Sequence, residues 1–118
     1  MTGYIYPATA TLVEEIDETR TLVEEHWTTG DYTLVRRRYD NAEHGFGKSH
    51  WTVRAADRDI PEIVDAAPYG SDLPDFGVNW SAMGVRNTSE ARKYADRLAD
   101  AARAADRFTD IASILDCE

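Results

Sequence analysis

Apolar residues recur at alternating steps of three and four near the C-terminus, which predicts an amphipathic helix over residues 88–115. The positions that share one face are Ala91, Ala95, Leu98, Ala102, Ala105, Phe108, Ala112 and Leu115. Asn87 is a favourable N-cap, with Glu90 three positions later. Because most of the apolar positions are alanine, we expect the helix to lie close to a sheet. Ala102 is expected at the closest approach, with Ala104 on the opposite face.

Residues 9–28 fit two structures. The sequence Leu-Val-Glu-Glu occurs at 12–15 and again at 22–25 among several threonines, which is compatible with a hairpin that turns at Asp17-Glu18. At 100° per residue, however, the apolar residues gather on one half of a helix and the acids on the other. The apolar set is Leu12, Val13, Ile16, Leu22, Val23, His26 and Trp27. We predict a helix over 9–28, with the hairpin as the alternative.

Residues 31–39 and 50–55 alternate as strands do, and the turn-rich stretch between them indicates a hairpin. Residues 78–85 are predicted to form a third strand, residues 61–67 one helical turn, and residues 68–77 an exposed loop. The chain is therefore predicted to be a single α+β domain over residues 1–118. It would have two layers: a three-stranded antiparallel sheet packed with an N-terminal helix and a long C-terminal helix, in the order α-β-β-β-α.

The composition limits the partners. The net charge is −9 and the pI is about 4.7, which opposes non-specific attraction to nucleic acid or to an anionic membrane. The N-terminus lacks a basic segment followed by an apolar one, and no apolar run approaches a membrane span. Cys117 is the only cysteine, so no disulfide forms within the chain. We expect a cytoplasmic protein without a cofactor.

The run Arg36-Arg37-Arg38 is the most unusual polar feature. On a strand, Arg36 and Arg38 share one face and Arg37 takes the other. One interpretation is ion pairing with the abundant acids. The other is a site for an anion or an acidic partner, because guanidinium groups bind carboxylate and phosphate in a bidentate manner. Tyr39 could add stacking to such a site.

Residues 42–49 fit a permissive phosphate-loop pattern, with Ala42 in place of the first glycine. A phosphate loop opens a helix, whereas the residues after Ser49 alternate like a strand, so a hairpin loop is expected instead. His44 and His50 flank this loop and could approach each other. The candidate binding residues are Arg36, Arg37, Arg38, Tyr39, His44 and His50. No catalytic, cofactor or metal residue is assigned.

The predicted element order resembles that of the double-stranded-RNA-binding domain. That family places a lysine-rich cluster at the start of its last helix. Residues 88–93 here read Thr-Ser-Glu-Ala-Arg-Lys, with two bases and one acid, so the resemblance implies a shared topology and no RNA binding.

A second resemblance rests on Val-Asn-Trp-Ser-Ala-Met-Gly at 78–84, followed by Glu-Ala-Arg at 90–92 and Leu-Ala-Asp-Ala-Ala at 98–102. This pattern is similar to one in small uncharacterised proteins of actinobacteria and their phages. It covers about a third of the chain. It implies a phage or accessory protein and carries no activity.

These observations favour a small, acidic, non-enzymatic accessory protein that binds a host or partner protein. One alternative is a small-molecule or nucleotide-binding protein or enzyme that uses residues 40–50 with the arginine run. Another is an acidic mimic of nucleic acid, which the arginines of the last helix oppose.

A homodimer is expected, because one sheet face and the apolar residues Ile111, Ile114 and Leu115 lack a predicted cover. The alternative is that residues 57–77 fold over the open face.

Overall fold

The computed structural model describes residues 8–57, 59–67, 73–79 and 87–116. Within these residues the chain is mostly β, with seven strands in two antiparallel sheets and one C-terminal helix. The elements are β1 (Ala10–Glu15), β2 (Arg20–Thr29), β3 (Tyr32–Asn41), β4 (Gly45–Phe46), β5 (His50–Ala55), β6 (Glu62–Asp65), β7 (Phe76–Asn79) and α1 (Thr88–Asp116). The predicted three-stranded sheet with two helices is therefore wrong.

The first sheet runs β1-β2-β3, and both β4 and β5 pair with the far side of β3. Strands β6 and β7 form the second sheet. The predicted hairpin of residues 31–39 and 50–55 is confirmed by β3 and β5, which pair from Tyr32↔Ala55 to Arg37↔His50. The strand predicted over 78–85 begins earlier, at Phe76, and residues 80–85 lie outside the described part of the chain.

The segment predicted as the N-terminal helix is the β1–β2 hairpin, with a register from Ala10↔His26 to Glu15↔Thr21. The turn is built around Asp17. Its Oδ1 accepts hydrogen bonds from Thr19 N at 2.8 Å, Thr19 Oγ1 at 2.7 Å and Arg20 N at 3.0 Å. This local turn chemistry, together with the pairing of β2 to β3, outweighs the helical spacing of the apolar residues.

The β2–β3 turn fixes the register of the sheet. Gly30 has a φ of 59° and is followed by Asp31, whose φ is not positive. A two-residue loop with glycine first in the left-handed region fits a type II′ turn, which suits the twist of the flanking strands. The resulting register places Glu24 opposite Arg37 and Glu25 opposite Arg36.

The core lies between one face of the first sheet, the β6–β7 hairpin and α1. Its members are Trp27, Tyr32, Leu34, Trp51, Ile63, Phe76, Ala101, Ala104, Ala105, Phe108, Ile111 and Ala112. The helical turn predicted over 61–67 is wrong, because β6 occupies that segment. Polar contacts also join the layers: Tyr32 Oη donates to Pro61 O at 2.5 Å, and Phe76 N donates to Thr109 Oγ1 at 2.9 Å.

Helix α1 begins as predicted, with Glu90 N donating to Asn87 Oδ1 at 2.8 Å. Its buried face differs from the predicted one. Ala105, Phe108 and Ala112 are buried as expected, but Ala102 is exposed and Ala104 is buried. Within the described residues the first three turns are mostly exposed, and the buried positions of the helix begin at Ala101. Within the described ranges no helix combines the length and apolar character that a membrane span requires.

We expect Ala104→Leu to destabilise the protein by about 1–3 kcal/mol, because the added carbons overpack the helix–sheet interface. The matched control is Ala102→Leu, whose side chain enters solvent and should change the free energy of unfolding by less than about 0.5 kcal/mol. Urea denaturation followed by circular dichroism measures both. Equal effects would show that the buried face of α1 is assigned incorrectly.

The hydrogen bonds from Thr19 and Arg20 lower the pKa of Asp17 from 3.8 to about 2. Because the folded turn favours the carboxylate, this contribution to stability is fully present above about pH 4 and is lost as the pH falls through about 2. Carboxyl-carbon NMR should give a titration midpoint near pH 2. In Thr19→Val, which lacks the hydroxyl donor, the midpoint should rise toward the ordinary value. An unchanged midpoint would contradict the assigned cause.

Candidate functional site

Strand alternation divides the arginine run between the two faces of the sheet, as predicted. Arg36 and Arg38 lie on the face that packs toward α1, because both bond to Glu25 and Arg36 also contacts the core tryptophans. Arg37 lies on the opposite face with Glu24, His50 and Tyr39. The run therefore serves two separate environments.

Arg36 is held in the interior, with only 5% of its surface exposed. Its guanidinium carbon lies 5.7 Å from the ring centre of Trp27 and 5.4 Å from that of Trp51, within the range of cation–π attraction. Its Nη2 donates to Glu25 Oε1 at 2.6 Å. These contacts surround the charge with aromatic faces and a counter-ion, so Arg36 is structural and unavailable to an external ligand.

Arg38 shares Glu25 with Arg36, at 3.3 Å, and its guanidinium carbon lies 3.7 Å from the ring centre of Phe46. Burial lowers the pKa of Arg38 and the charge of Arg36 adds to this, while Glu25 opposes it. The end of α1 closes this cluster, because Trp51 Nε1 donates to Asp116 Oδ2 at 2.8 Å. Two of the six candidate residues are thus occupied by contacts within the chain.

The opposite face has a polar network centred on Glu24. His26 Nε2 donates to Glu24 Oε1 at 2.7 Å, and Arg37 and Arg54 approach the same carboxylate at 3.3 and 3.4 Å. The bond from His26 is the main cause that lowers the pKa of Glu24, with the charges of Arg54 and Arg37 adding to it and burial opposing it.

This network explains how the second face is covered. Arg54 is on β5 and Glu24 is on β2, so their ion pair crosses β3 at Val35, which lies between them in the register. Val35 is 0% exposed although it lies outside the core cluster. The aliphatic stem of a long polar side chain can cover apolar surface in this way.

A β-bulge separates β4 from β5. Phe46 pairs with Asp40 and His50 pairs with Arg37, so three residues, 47–49, oppose the two residues 38 and 39. In a regular strand, residues 46, 48 and 50 would share one face. Here Phe46 packs under Arg38 on the helix side, whereas Lys48 and His50 lie on the other side with Arg37.

The bulge completes a shallow, open depression of about 190 Å³. Its lining residues are Leu22, Arg37, Arg38, Tyr39, Lys48 and His50. We call it the basic depression, because no acidic residue lines it. Arg38 contributes to the wall only, since its guanidinium lies on the other face. The structure therefore brings together three of the predicted candidates, Arg37, Tyr39 and His50.

His44 is separate from this group. It lies in the exposed turn between β3 and β4, 3.9 Å from Glu43, and it does not line the depression. Residues 42–49 form this turn and the bulged strand, and Ser49 leads into β5 rather than into a helix. In the described part of the chain, no group of three or more His, Cys, Asp or Glu side chains could hold a metal ion.

Exposed apolar residues mark a second surface, at the end of the first sheet that extends past the C-terminus of α1. Of the seven large apolar side chains that are exposed in the described residues, five lie there: Leu12, Val13, Ile16, Tyr39 and Phe46. We call this surface the apolar arm. Every residue of β1 is exposed, and β1 has no partner strand on its outer side among the described residues.

In the described part of the chain, the fold is that of a small antiparallel β protein with one C-terminal helix. Comparison with models of protein families, with curated proteins and with solved structures finds no match to this chain. Its function must therefore be argued from its own side chains.

Sequence reasoning missed Leu22, Lys48 and the apolar arm. Leu22 and the arm residues Leu12, Val13 and Ile16 were assigned to a helix, with a hairpin only as the alternative, whereas Tyr39 was placed on a strand and Phe46 in a loop. Lys48 stands two residues before His50, a spacing that predicts a shared strand face. That spacing could have identified Lys48 as a companion of His50 and Arg37.

Glu25→Gln should destabilise the protein by about 3–5 kcal/mol. The variant removes the carboxylate that both Arg36 and Arg38 share, and the charge of Arg36 then stays buried without this counter-ion. Glu15→Gln is the control: this residue is exposed on β1 and should matter by less than about 0.5 kcal/mol. Urea denaturation of the two variants tests this. Similar midpoints would mean that the carboxylate of Glu25 contributes little to holding the arginines.

Proposed function

We propose that this protein binds another protein through its apolar arm, as a non-enzymatic accessory protein of the cytoplasm. The observation that carries the proposal is the exposure of Leu12 and Val13, at 56% and 67%, on a strand whose outer edge has no partner in the described residues. An exposed apolar edge strand is a hazard that most proteins avoid, so its presence favours a binding role.

Strand addition is the mode of binding that this surface supports best. An extended segment of the partner would pair with β1 through the backbone and place alternate side chains against the two faces of the sheet. Leu12 lies on the face of the basic depression and Val13 on the helix side, because they pair with Glu24 and Val23. Ala10 to Val13 carry no charge, and the acids Glu14 and Glu15 stand only at the end of the strand.

The other functions considered have less support. The acids Glu24 and Glu25 are bonded to arginines instead of forming the continuous acidic surface that a nucleic-acid mimic needs. Arg36 and Arg38 are occupied within the chain, which weakens a nucleotide site that uses the whole arginine run. The origin of the protein in an actinobacterium or its phage stays a prediction.

The homodimer also stays a prediction, but the surface expected to form it changes from the end of α1 to β1. Ile111 is fully buried within its own chain and Leu115 packs against the core, so the end of α1 needs no partner. Ile63 and Phe76, which belong to the 57–77 segment, also lie in the core. Any two-fold contact would therefore use β1, paired with the β1 of a second copy.

The variant Leu12→Lys with Val13→Lys should abolish capture of the partner from a lysate of the native host. The control variant carries Val64→Lys with Leu73→Lys, two exposed apolar residues away from the arm, and should capture it normally. Hydrogen exchange of the complex should show slowed exchange in β1. Capture that is equal for both variants would reject the arm as the binding surface.

Light scattering on the wild-type protein at micromolar concentration distinguishes the occupants of β1. A mass near 13.3 kDa rejects the homodimer and leaves the edge for a different protein. A mass near twice that value, lost in the arm variant, would identify a second copy as the occupant.

A further inference from the structure

We propose that the basic depression is a binding site for an oxyanion, a phosphate or carboxylate group, carried on a small apolar or aromatic group. The site is distinct from β1, which contributes none of its lining residues. Tyr39 belongs to both surfaces, but the proposal does not depend on protein binding at β1.

Charge is the first argument. The chain has 22 acidic and 13 basic residues, yet Arg37, Lys48 and His50 line the depression beside the wall that Arg38 forms, and no acid lines it. A local positive field on a protein of net charge −9 concentrates anions at this one surface. The nearest acid in the network, Glu24, meets Arg37 through Nε at 3.3 Å, and the Arg37 side chain remains 46% exposed.

Geometry is the second argument. Arg37 and His50 are directly opposite each other in the β3–β5 register, and Tyr39 is two residues beyond Arg37 on the same face. Lys48 joins them because the bulge at residues 47–49 separates it from Phe46, which lies on the helix side. Bulges that redirect side chains are frequent beside functional sites. The donors that converge here are guanidinium, ammonium, imidazole and phenol groups, all of which bind oxyanions.

The apolar part of the lining selects what the anion is attached to. Leu22 is buried although it lies outside the core cluster, and Tyr39 presents a ring at 43% exposure. A volume of about 190 Å³ is below the range of sites for larger ligands, so one oxyanion with a single ring or short chain fills it. Phenyl phosphate and benzoate represent the two sources of the oxyanion.

Titration of the ¹⁵N-labelled protein with phenyl phosphate, benzoate and inorganic phosphate tests the proposal. We expect saturable shifts of the amides of Leu22, Arg37, Tyr39, Lys48 and His50, with phenyl phosphate tighter than inorganic phosphate because of the apolar lining. Tighter binding of phenyl phosphate than of benzoate would assign the site to phosphates, and the reverse order to carboxylates. Absence of saturable shifts at these residues with all three probes would overturn the proposal.

Variants test the assigned residues. Lys48→Met should weaken phenyl phosphate by about tenfold, the effect of one hydrogen bond to a charged group. The control is Lys93→Met, since Lys93 is the other lysine of the chain and is exposed on α1. His50→Gln provides a second test, and amide spectra of each variant establish that it is folded. If Lys93→Met weakened binding as much as Lys48→Met, the attraction would be a property of the whole surface and the site would be rejected.

Discussion

Glu24 and Glu25 meet Arg37 and Arg36 across the β2–β3 hairpin, and both faces of the first sheet are organised around these two pairs. On the helix side, Glu25 allows an arginine to lie between two tryptophans in the core. On the other side, Glu24 gathers His26, Arg37 and Arg54 over Val35. A slip of two residues would keep the faces but would place Glu24 opposite Tyr39 in one direction and Glu25 opposite Leu34 in the other, so only the observed register pairs both acids with arginines.

The helix covers only one end of this sheet, and that limited cover determines where binding surfaces are available. Asp116 reaches Trp51, and the strands continue past this contact. Beyond it, β1 and the ends of β3 and β4 expose apolar side chains. Beside it lies the face that no helix covers among the described residues, and there Arg37, which pairs with Glu24, forms one wall of the basic depression.

The sequence predicted the elements whose pattern has a single interpretation. Strands β3 and β5 alternate cleanly, and α1 has both an N-cap at Asn87 and a regular spacing, although Ala102 was placed on its buried face and Ala104 on its exposed face. The β1–β2 hairpin was missed because its apolar and acidic residues come in doublets, which fit a helical period. One signal favoured the hairpin: Glu25 precedes Gly30 by five residues and Arg36 follows Asp31 by five. The basic depression was only partly predictable, because Lys48 and Leu22 join Arg37 through a bulge and a hairpin that alternation alone does not indicate.

The bulge at residues 47–49 has a consequence for how this protein can change during evolution. It places Phe46 against Arg38 on the helix side of the sheet, and it places Lys48 and His50 in the basic depression on the opposite side. In a strand of regular alternation, Phe46 and His50 would share one face, because they stand four positions apart. Substitutions at Lys48 and His50, by contrast, alter the outer surface and leave the packing of Phe46 against Arg38 intact. The chemistry of the depression can therefore diversify by point mutation while the helix side of the sheet stays unchanged.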